Sequence, residues 1–310
     1  MGSLGKELID LFRGHPNPGI LPLDAVAEAS AAVMASPDVR ALALLYGPDE
    51  GYEPLRQHIA QWLTAFYQPR DSIPSGRICI TGGASQNLAC ILQVFTDPVY
   101  TRNVWMVAPT YFLACRMMDD AGFVGRMRGI PESESGVDLA YLRRELVASE
   151  EKARKEGNDT PVKLLSHFAM PMNTDVAKNY KPSRPWGKIY KHVIFATPTF
   201  SNPSTLTMSL SDRQGLVRLA REFDALIITD DVYDFLQWSP DPNGSLSHPN
   251  RAVQPRIVDV DRYLDGGPKD EWGNAVSNGS FSKMIGPGAR TGWAEATEKT
   301  AFGISQAYAL

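Results

Sequence analysis

The chain alternates short, almost wholly apolar runs with longer stretches in which apolar residues recur every three or four positions. The runs are Ile78-Cys79-Ile80-Thr81, Val104-Trp105-Met106-Val107, Val193-Ile194-Phe195-Ala196-Thr197 and Leu226-Ile227-Ile228-Thr229, with a further strand over Ala275 to Gly279. Each reads as a buried strand. Between them, Leu55, Ile59, Leu63 and Phe66 (with Trp62 beside them), then Leu88, Ile91, Leu92 and Phe95, keep helical spacing and face a core. Asp24 to Met34 reads as a short helix with Asp24 as its start signal. Ser211 is expected to cap another helix, with Gln214 closing a capping box. Repeated βα units predict an α/β fold with a mostly parallel, doubly wound sheet between helical layers.

Other stretches break this rhythm. Residues 11–23 are too rich in Pro and Gly for a regular element and predict an extended arm, and Tyr46 to Tyr52 is a loop of breakers. Residues 125–190 contain a charged helix-like run from Asp138 to Lys155, then a polar loop and a Lys/Pro-rich segment. They read as a solvated insertion without a site. Residues 239–273 read as a second, Pro/Gly/Asp-rich insertion. The expected organisation is an N-terminal arm and short helix over 1–45, one large domain over 46–300, and a short end, 301–310, that does not continue the pattern.

Composition narrows the function classes. The 310 residues are 43% apolar and 21% charged, with a net charge of −4 and no long single-sign block. Nothing points to nucleic acid or a membrane surface, and no apolar run reaches spanning length. Cys79, Cys90 and Cys115 are odd in number and lack metal-ligand spacing, so they read as buried thiols in a reducing compartment. No targeting character marks the first residues, and a cytoplasmic location is the expectation.

The polar candidates collect where strands end, the place where open α/β sheets bind ligands. Gly82-Gly83-Ala84-Ser85-Gln86 joins a strand to a helix through small residues, a form that suits a phosphate because free backbone N–H groups and the helix dipole converge there. It is neither Gly-x-Gly-x-x-Gly nor a P-loop, which disfavours nicotinamide and ATP. Tyr111 follows the second strand and is placed to stack on a flat ring. Asp230-Asp231 ends an apolar strand without a His or third carboxylate nearby in the sequence, so no metal is expected. A buried Asp there needs a cation or donor, and a protonated ring nitrogen would serve. Lys283 sits among Ser280, Ser282 and, across a Gly/Pro-rich turn, Arg290. A desolvated lysine can form a Schiff base, and serines with an arginine can hold a phosphate.

Taken together and in this order, the pieces resemble the class I/II aminotransferases, fold-type I enzymes of pyridoxal 5′-phosphate (PLP). Arg13-Gly14-His15-Pro16-Asn17-Pro18, Tyr46-Gly47, Ala84-Ser85-Gln86-Asn87 and Asp230-Asp231-Val232-Tyr233 are most similar to the kynurenine/2-aminoadipate/aromatic branch. The resemblance spans about Gly14 to Trp293 and implies the three-layer αβα large domain of that fold. It implies that Lys283 forms the internal aldimine and shuttles a proton, that Asp230 pairs with the pyridine nitrogen, and that Tyr233 and Asn202 bond the ring's phenolic oxygen. It implies further that Tyr111 stacks on the ring, that Ser85, Gln86, Ser280, Ser282 and Arg290 hold the phosphate, and that Gly14 lies near the substrate. Tyr46 would reach the phosphate of a neighbouring subunit, so a homodimer with shared sites follows.

The implied reaction moves an amino group from an aromatic or 2-aminoadipate-like amino acid to a 2-oxo acid. Two departures qualify it. The usual Asn-Pro-Thr-Gly stands here as Asn202-Pro203-Ser204-Thr205. The family's smaller C-terminal domain, with the arginine that grips the substrate carboxylate, does not follow before Leu310, so weak cofactor binding or turnover is expected of these 310 residues. The alternatives are another PLP reaction on the same fold (a lyase, decarboxylase or racemase) and a non-catalytic paralogue. Retention of Lys283, Asp230, Tyr233 and Arg290 argues against decay.

Overall fold

A computed structural model describes residues 14, 16–156, 181–237 and 250–307. The order of elements is α1 (Leu23–Ala35), α2 (Pro37–Leu42), α3 (Glu53–Tyr67), β1 (Ile78–Thr81), α4 (Ala84–Phe95), β2 (Asn103–Ala108), α5 (Phe112–Met118), β3 (Met127–Pro131) and α6 (Leu139–Lys155). It continues with β4 (His192–Ala196), α7 (Leu210–Phe223), β5 (Ala225–Asp230), α8 (Ile257–Tyr263), β6 (Ala275–Ser280), β7 (Gly292–Glu295) and α9 (Glu298–Ser305).

The seven strands form one sheet in the order β1-β7-β6-β5-β4-β2-β3. The pairs from β6 through β5, β4 and β2 to β3 are parallel, whereas β7 runs antiparallel to both β6 and β1. The mostly parallel α/β sheet expected from the sequence is therefore present.

Strand alternation divides the core. Val104, Met106, Val193, Phe195, Leu226, Ile228 and Val276 pack with α4, α5 and α9 on one face. Trp105, Val107, Ile194, Ala196, Ala225, Ile227 and Ala275 pack with α6, α7 and α8 on the other. Both faces of these strands are covered, which is why their sequences are continuously apolar rather than alternating. A third cluster joins Ile59, Leu63 and Phe66 of α3 to Ile78 and Trp293, with Trp62 stacked on Phe235.

Several expectations need correction. The solvated insertion at 125–190 contains an edge strand, β3, and a helix, α6, whose Leu142 and Leu146 are fully buried; residues 157–180, including the polar loop, lie outside the described part. The second insertion likewise contains α8, whose Ile257, Val258 and Val260 enter the core. The cap of α7 is Ser209, which accepts from the Asp212 N–H, and Ser211 is already inside the helix. Asp24 lies in the first turn of α1 behind Pro22 and caps nothing. The arm carries a short 3₁₀ turn, Pro18–Ile20, and His15 lies outside the described residues. Cys79 and Cys90 are buried, while Cys115 is only half-buried. No helix among the described residues is long and apolar enough to cross a membrane.

Candidate active site

The carboxyl ends of β1, β2, β4, β5 and β6 open on one cleft of about 760 Å³, with Gly14, Ser85, Tyr111, Asn202, Asp230, Tyr233, Ser280, Ser282, Lys283 and Arg290 among its walls. These residues come from segments spread over almost the whole chain. The sheet gathers them because its parallel strands all deliver their following loops to the same edge.

Lys283 leaves β6 in a short 3₁₀ turn, Phe281–Lys283, whose start is fixed by the Ser280 hydroxyl accepting from the Ser282 N–H at 3.2 Å. The Ser280 and Ser282 hydroxyls lie 3.0 Å apart. The ammonium of Lys283 stands 5.7 Å from the centre of the Tyr233 ring. Tyr233 in turn accepts a hydrogen bond from Asn202 Nδ2 at 3.3 Å. Burial pushes the Tyr233 hydroxyl above its ordinary pKa, with the Asn202 donor opposing. Tyr111 is raised as well, by burial and by the nearby Asp230.

Asp230 is the electrostatic centre of the cleft. It ends β5 on the α4 side of the sheet, and its Oδ1 is sealed from solvent with no hydrogen-bond partner. Burial pushes its carboxyl up to about 7, Asp231 adds to the rise, and Lys283 opposes it. A carboxylate in this position lacks a donor or cation that would hold it ionised.

The phosphate-type end of the cleft is built from backbone and Arg290. Gly83 has φ 101° and precedes α4, whose early N–H groups at Ala84 to Gln86 point out of the helix start. A Cβ on Gly83 would sit 3.3 Å from Arg290 Nη2, so glycine lets the turn approach the guanidinium. Arg290 donates to the Gly82 carbonyl at 3.1 Å and to the Pro287 carbonyl at 3.3 Å, which pins its head at the rim. Gly279 serves the same region from below: a Cβ there would come within 2.2 Å of the Trp293 indole.

Two candidates fall outside the cleft. The Gln86 side chain turns back and accepts from the Gly82 N–H at 2.7 Å, so it braces the turn, and only its backbone faces the cradle. Tyr46 is 95% exposed and stands away from the cleft. The structure also shows Glu132 beside the Asn202 loop, which the sequence reading missed; an acid after a weak edge strand carries no signal in its local pattern. Among the described residues no group of three or more His, Cys, Asp and Glu side chains is gathered for a metal.

A mostly parallel α/β sheet with a lysine and an unpartnered aspartate facing one cleft at its carboxyl edge defines a narrow class of proteins. The family model for aminotransferase class I and II matches residues 16–307, and the chain belongs to that family. An uncharacterised protein of Saccharomyces cerevisiae is 34% identical over 302 residues, covering 93% of this chain and 63% of its own length. Aromatic-amino-acid aminotransferase 1 of Thermococcus litoralis is 27% identical, covering 93% of this chain and 54% of its own. Among solved structures, the α-aminoadipate aminotransferase of Thermus thermophilus matches with TM-score 0.63 and 25% identity, over 95% of this chain and 58% of its own. An archaeal alanine:glyoxylate aminotransferase matches with TM-score 0.65 and 21% identity, over 98% of this chain and 62% of its own. The fold is thus that of the fold-type I aminotransferases, and the chain spans a little over half the length of these relatives.

Proposed function

We propose that this chain carries the cofactor half of a PLP-dependent aminotransferase that moves the amino group of an amino acid to a 2-oxo acid. The observation that carries the reading is the pairing, in one cleft, of Lys283 with an Asp230 whose buried Oδ1 has no partner. The residues present fit that cofactor. Asp230 offers the acceptor that a protonated ring nitrogen requires, and ion pairing there would return its carboxyl to the ionised state. Ser85, Ser280, Ser282, Arg290 and the N–H groups at the start of α4 offer donors and positive charge for a phosphate. Asn202 and Tyr233 supply the donors for a phenolic oxygen, and Tyr111 supplies an aromatic face.

When bound, the cofactor supplies an electron sink for the bond broken at the substrate's α-carbon. The protein's own work is positional and protonic. Lys283 would hold the cofactor through Nζ and would move a proton at the substrate's α-carbon. Asp230 keeps the ring nitrogen charged, and Tyr233 and Asn202 fix the ring's rotation. Gly14, exposed at the mouth, leaves room for substrate. Residues 46–300 form the cofactor-binding unit on this reading.

An aromatic or 2-aminoadipate-like donor is supported by relatives bearing those names. The T. litoralis relative is named for aromatic amino acids, and a Pyrococcus horikoshii kynurenine aminotransferase of similar fold was solved with PMP. The exposed Tyr46 leaves a side chain able to complete the phosphate site of a partner copy in a homodimer.

Absorption spectra of the chain with PLP, beside Lys283→Ala, test the reading. A visible band that borohydride fixes to the protein, absent from Lys283→Ala and bleached by an aromatic amino acid or glutamate, is expected. A folded protein with no such band, or with an equal band in Lys283→Ala, would overturn it.

A further inference from the structure

The loop that carries Asn202 is held in an unfavourable shape. Phe200 and Thr205 both have left-handed backbones, with φ 51° and 64°. For a β-branched residue such as Thr205 this conformation is costly, since its branched Cβ crowds the backbone. Such strain persists only where surrounding contacts over-determine it. Inside the loop, the Thr205 N–H donates to the Ser201 carbonyl at 2.6 Å and the Ser201 N–H to the Leu206 carbonyl at 2.9 Å. Its flank is fixed from below by the buried Arg213, which donates to the Pro198 carbonyl at 2.8 Å and to the Thr199 hydroxyl at 2.9 Å.

Across the loop's two ends lies a single carboxylate. Glu132, one residue past β3, accepts from the Ser204 hydroxyl at 2.6 Å and from the Ser201 hydroxyl at 3.4 Å, both on Oε1. It therefore brackets Asn202 and Pro203 from either side in sequence. Asn202 itself reaches Tyr233 at 3.3 Å, so any relaxation of the loop moves a donor that the cleft uses.

We propose that Glu132 is a positioning residue: its carboxylate clamps the strained Ser201–Thr205 loop and so sets Asn202 against Tyr233. The clamp does what a glycine at 205 would make unnecessary. With Thr205, release of Ser201 and Ser204 lets the loop relax out of the left-handed turn and carries Asn202 away. With glycine at 205 the strain at that residue is gone, leaving only that at Phe200, and the turn holds without the clamp. The geometric part needs no cofactor, whereas the consequence for the cleft rests on the PLP reading above.

The test uses the full chain as Glu132→Ala, Glu132→Gln, Thr205→Gly and the double variant Glu132→Ala/Thr205→Gly. Amide hydrogen exchange at Ser201 and Thr205 in unliganded protein is expected to speed up roughly tenfold in Glu132→Ala, the loss of about one charge-assisted hydrogen bond. It should stay near the parent in Glu132→Gln, which keeps an acceptor, and return towards it in the double variant. With PLP, binding should weaken about three- to tenfold in Glu132→Ala, with a shifted pH midpoint of the visible band, and recover in the double variant. Unchanged exchange in Glu132→Ala, or faster exchange that Thr205→Gly does not reverse, would overturn the clamp. A parent chain with no lysine-dependent band would instead sink the cofactor reading, and the exchange data would still decide the clamp.

Discussion

Asp230 and Asp231 are neighbours in the chain and opposites in circumstance. Strand alternation sends Asp230 to the α4 side of the sheet, into the cleft, where its side chain accepts no hydrogen bond from any described residue. It sends Asp231 to the α7/α8 side, where Oδ2 accepts from the Thr229 hydroxyl at 2.7 Å and from the Ser277 hydroxyl. Around Asp231 lies a buried charged network. Arg256 pairs with Asp259 at 2.9 Å and with Glu295 at 2.6 Å and lies 4.0 Å above the Tyr67 ring, while Tyr67 donates to Asp234 at 2.8 Å. Burial pushes Asp234 up to about 8, Asp231 adds to the rise, and Arg213 and Arg256 oppose it. The difference teaches how to separate structural from functional carboxylates. Asp231 Oδ1 lacks a partner too, but its Oδ2 is held by the chain's own hydroxyls. A buried acid given donors at even one oxygen belongs to the fold, whereas one left without any is reserved for something that arrives.

The sharpest way to break this comparison is to neutralise each side. If the PLP reading holds, Asp230→Asn should lower transamination by roughly a thousandfold or more, since a ring nitrogen without its carboxylate would lose its charge, yet leave the unliganded protein at least as stable. A urea titration beside a single-turnover assay reads both. Loss of stability together with activity would place Asp230 with the structural acids.

On the other side, Arg256→Ala should cost about 3–5 kcal/mol in urea unfolding, because Asp259 and Glu295 would be left buried without their cation. A cost below about 1 kcal/mol would show that water reaches the network.

The pH dependence sharpens the contrast further. Between about 3.9, the ordinary carboxyl value, and about 7, folded Asp230 keeps a proton that the unfolded chain releases. The folded state then binds more protons, so this group lowers stability progressively as pH rises through that window. Comparing parent and Asp230→Asn between pH 4 and pH 8 isolates the effect: the variant should gain on the parent as pH rises. PLP should bind the parent more weakly below pH 7, where the proton must be displaced. A smaller effect is expected far from both acids. Ser209→Ala removes the α7 cap and should cost about 1 kcal/mol without changing PLP affinity.

Much of this was legible in the sequence, for identifiable reasons. β1, β4 and β5 are buried on both faces and announce themselves as apolar runs. β3 does not, because only Ile130 of its five residues is buried, and β7 begins with glycine and ends with Glu295, buried against Arg77 and Arg256. α8 hid in an apparent polar insertion because Asp259 and Asp261, charged in sequence, are neutralised by Arg256 and Arg221 in space. In the cleft, residue types at strand ends were readable, whereas side-chain direction was not. Gln86 sits at a phosphate-type turn, yet its oxygen is already committed to Gly82.

The place of β7 bears on how the protein is made. β1, which leads into the Gly82-Gly83 turn, pairs with no strand but β7 among the described residues, and the link beside that pair, Arg77 to Glu295, joins residues 218 positions apart. On the ribosome, Ile78, Cys79 and Ile80 therefore emerge long before their partner strand exists. Contacts so distant along the chain form late and slowly, and an unpaired apolar strand is prone to misassembly meanwhile. Nascent chains halted before Gly292 should accordingly engage chaperones through β1, and release from them should come only once β7 has cleared the exit tunnel.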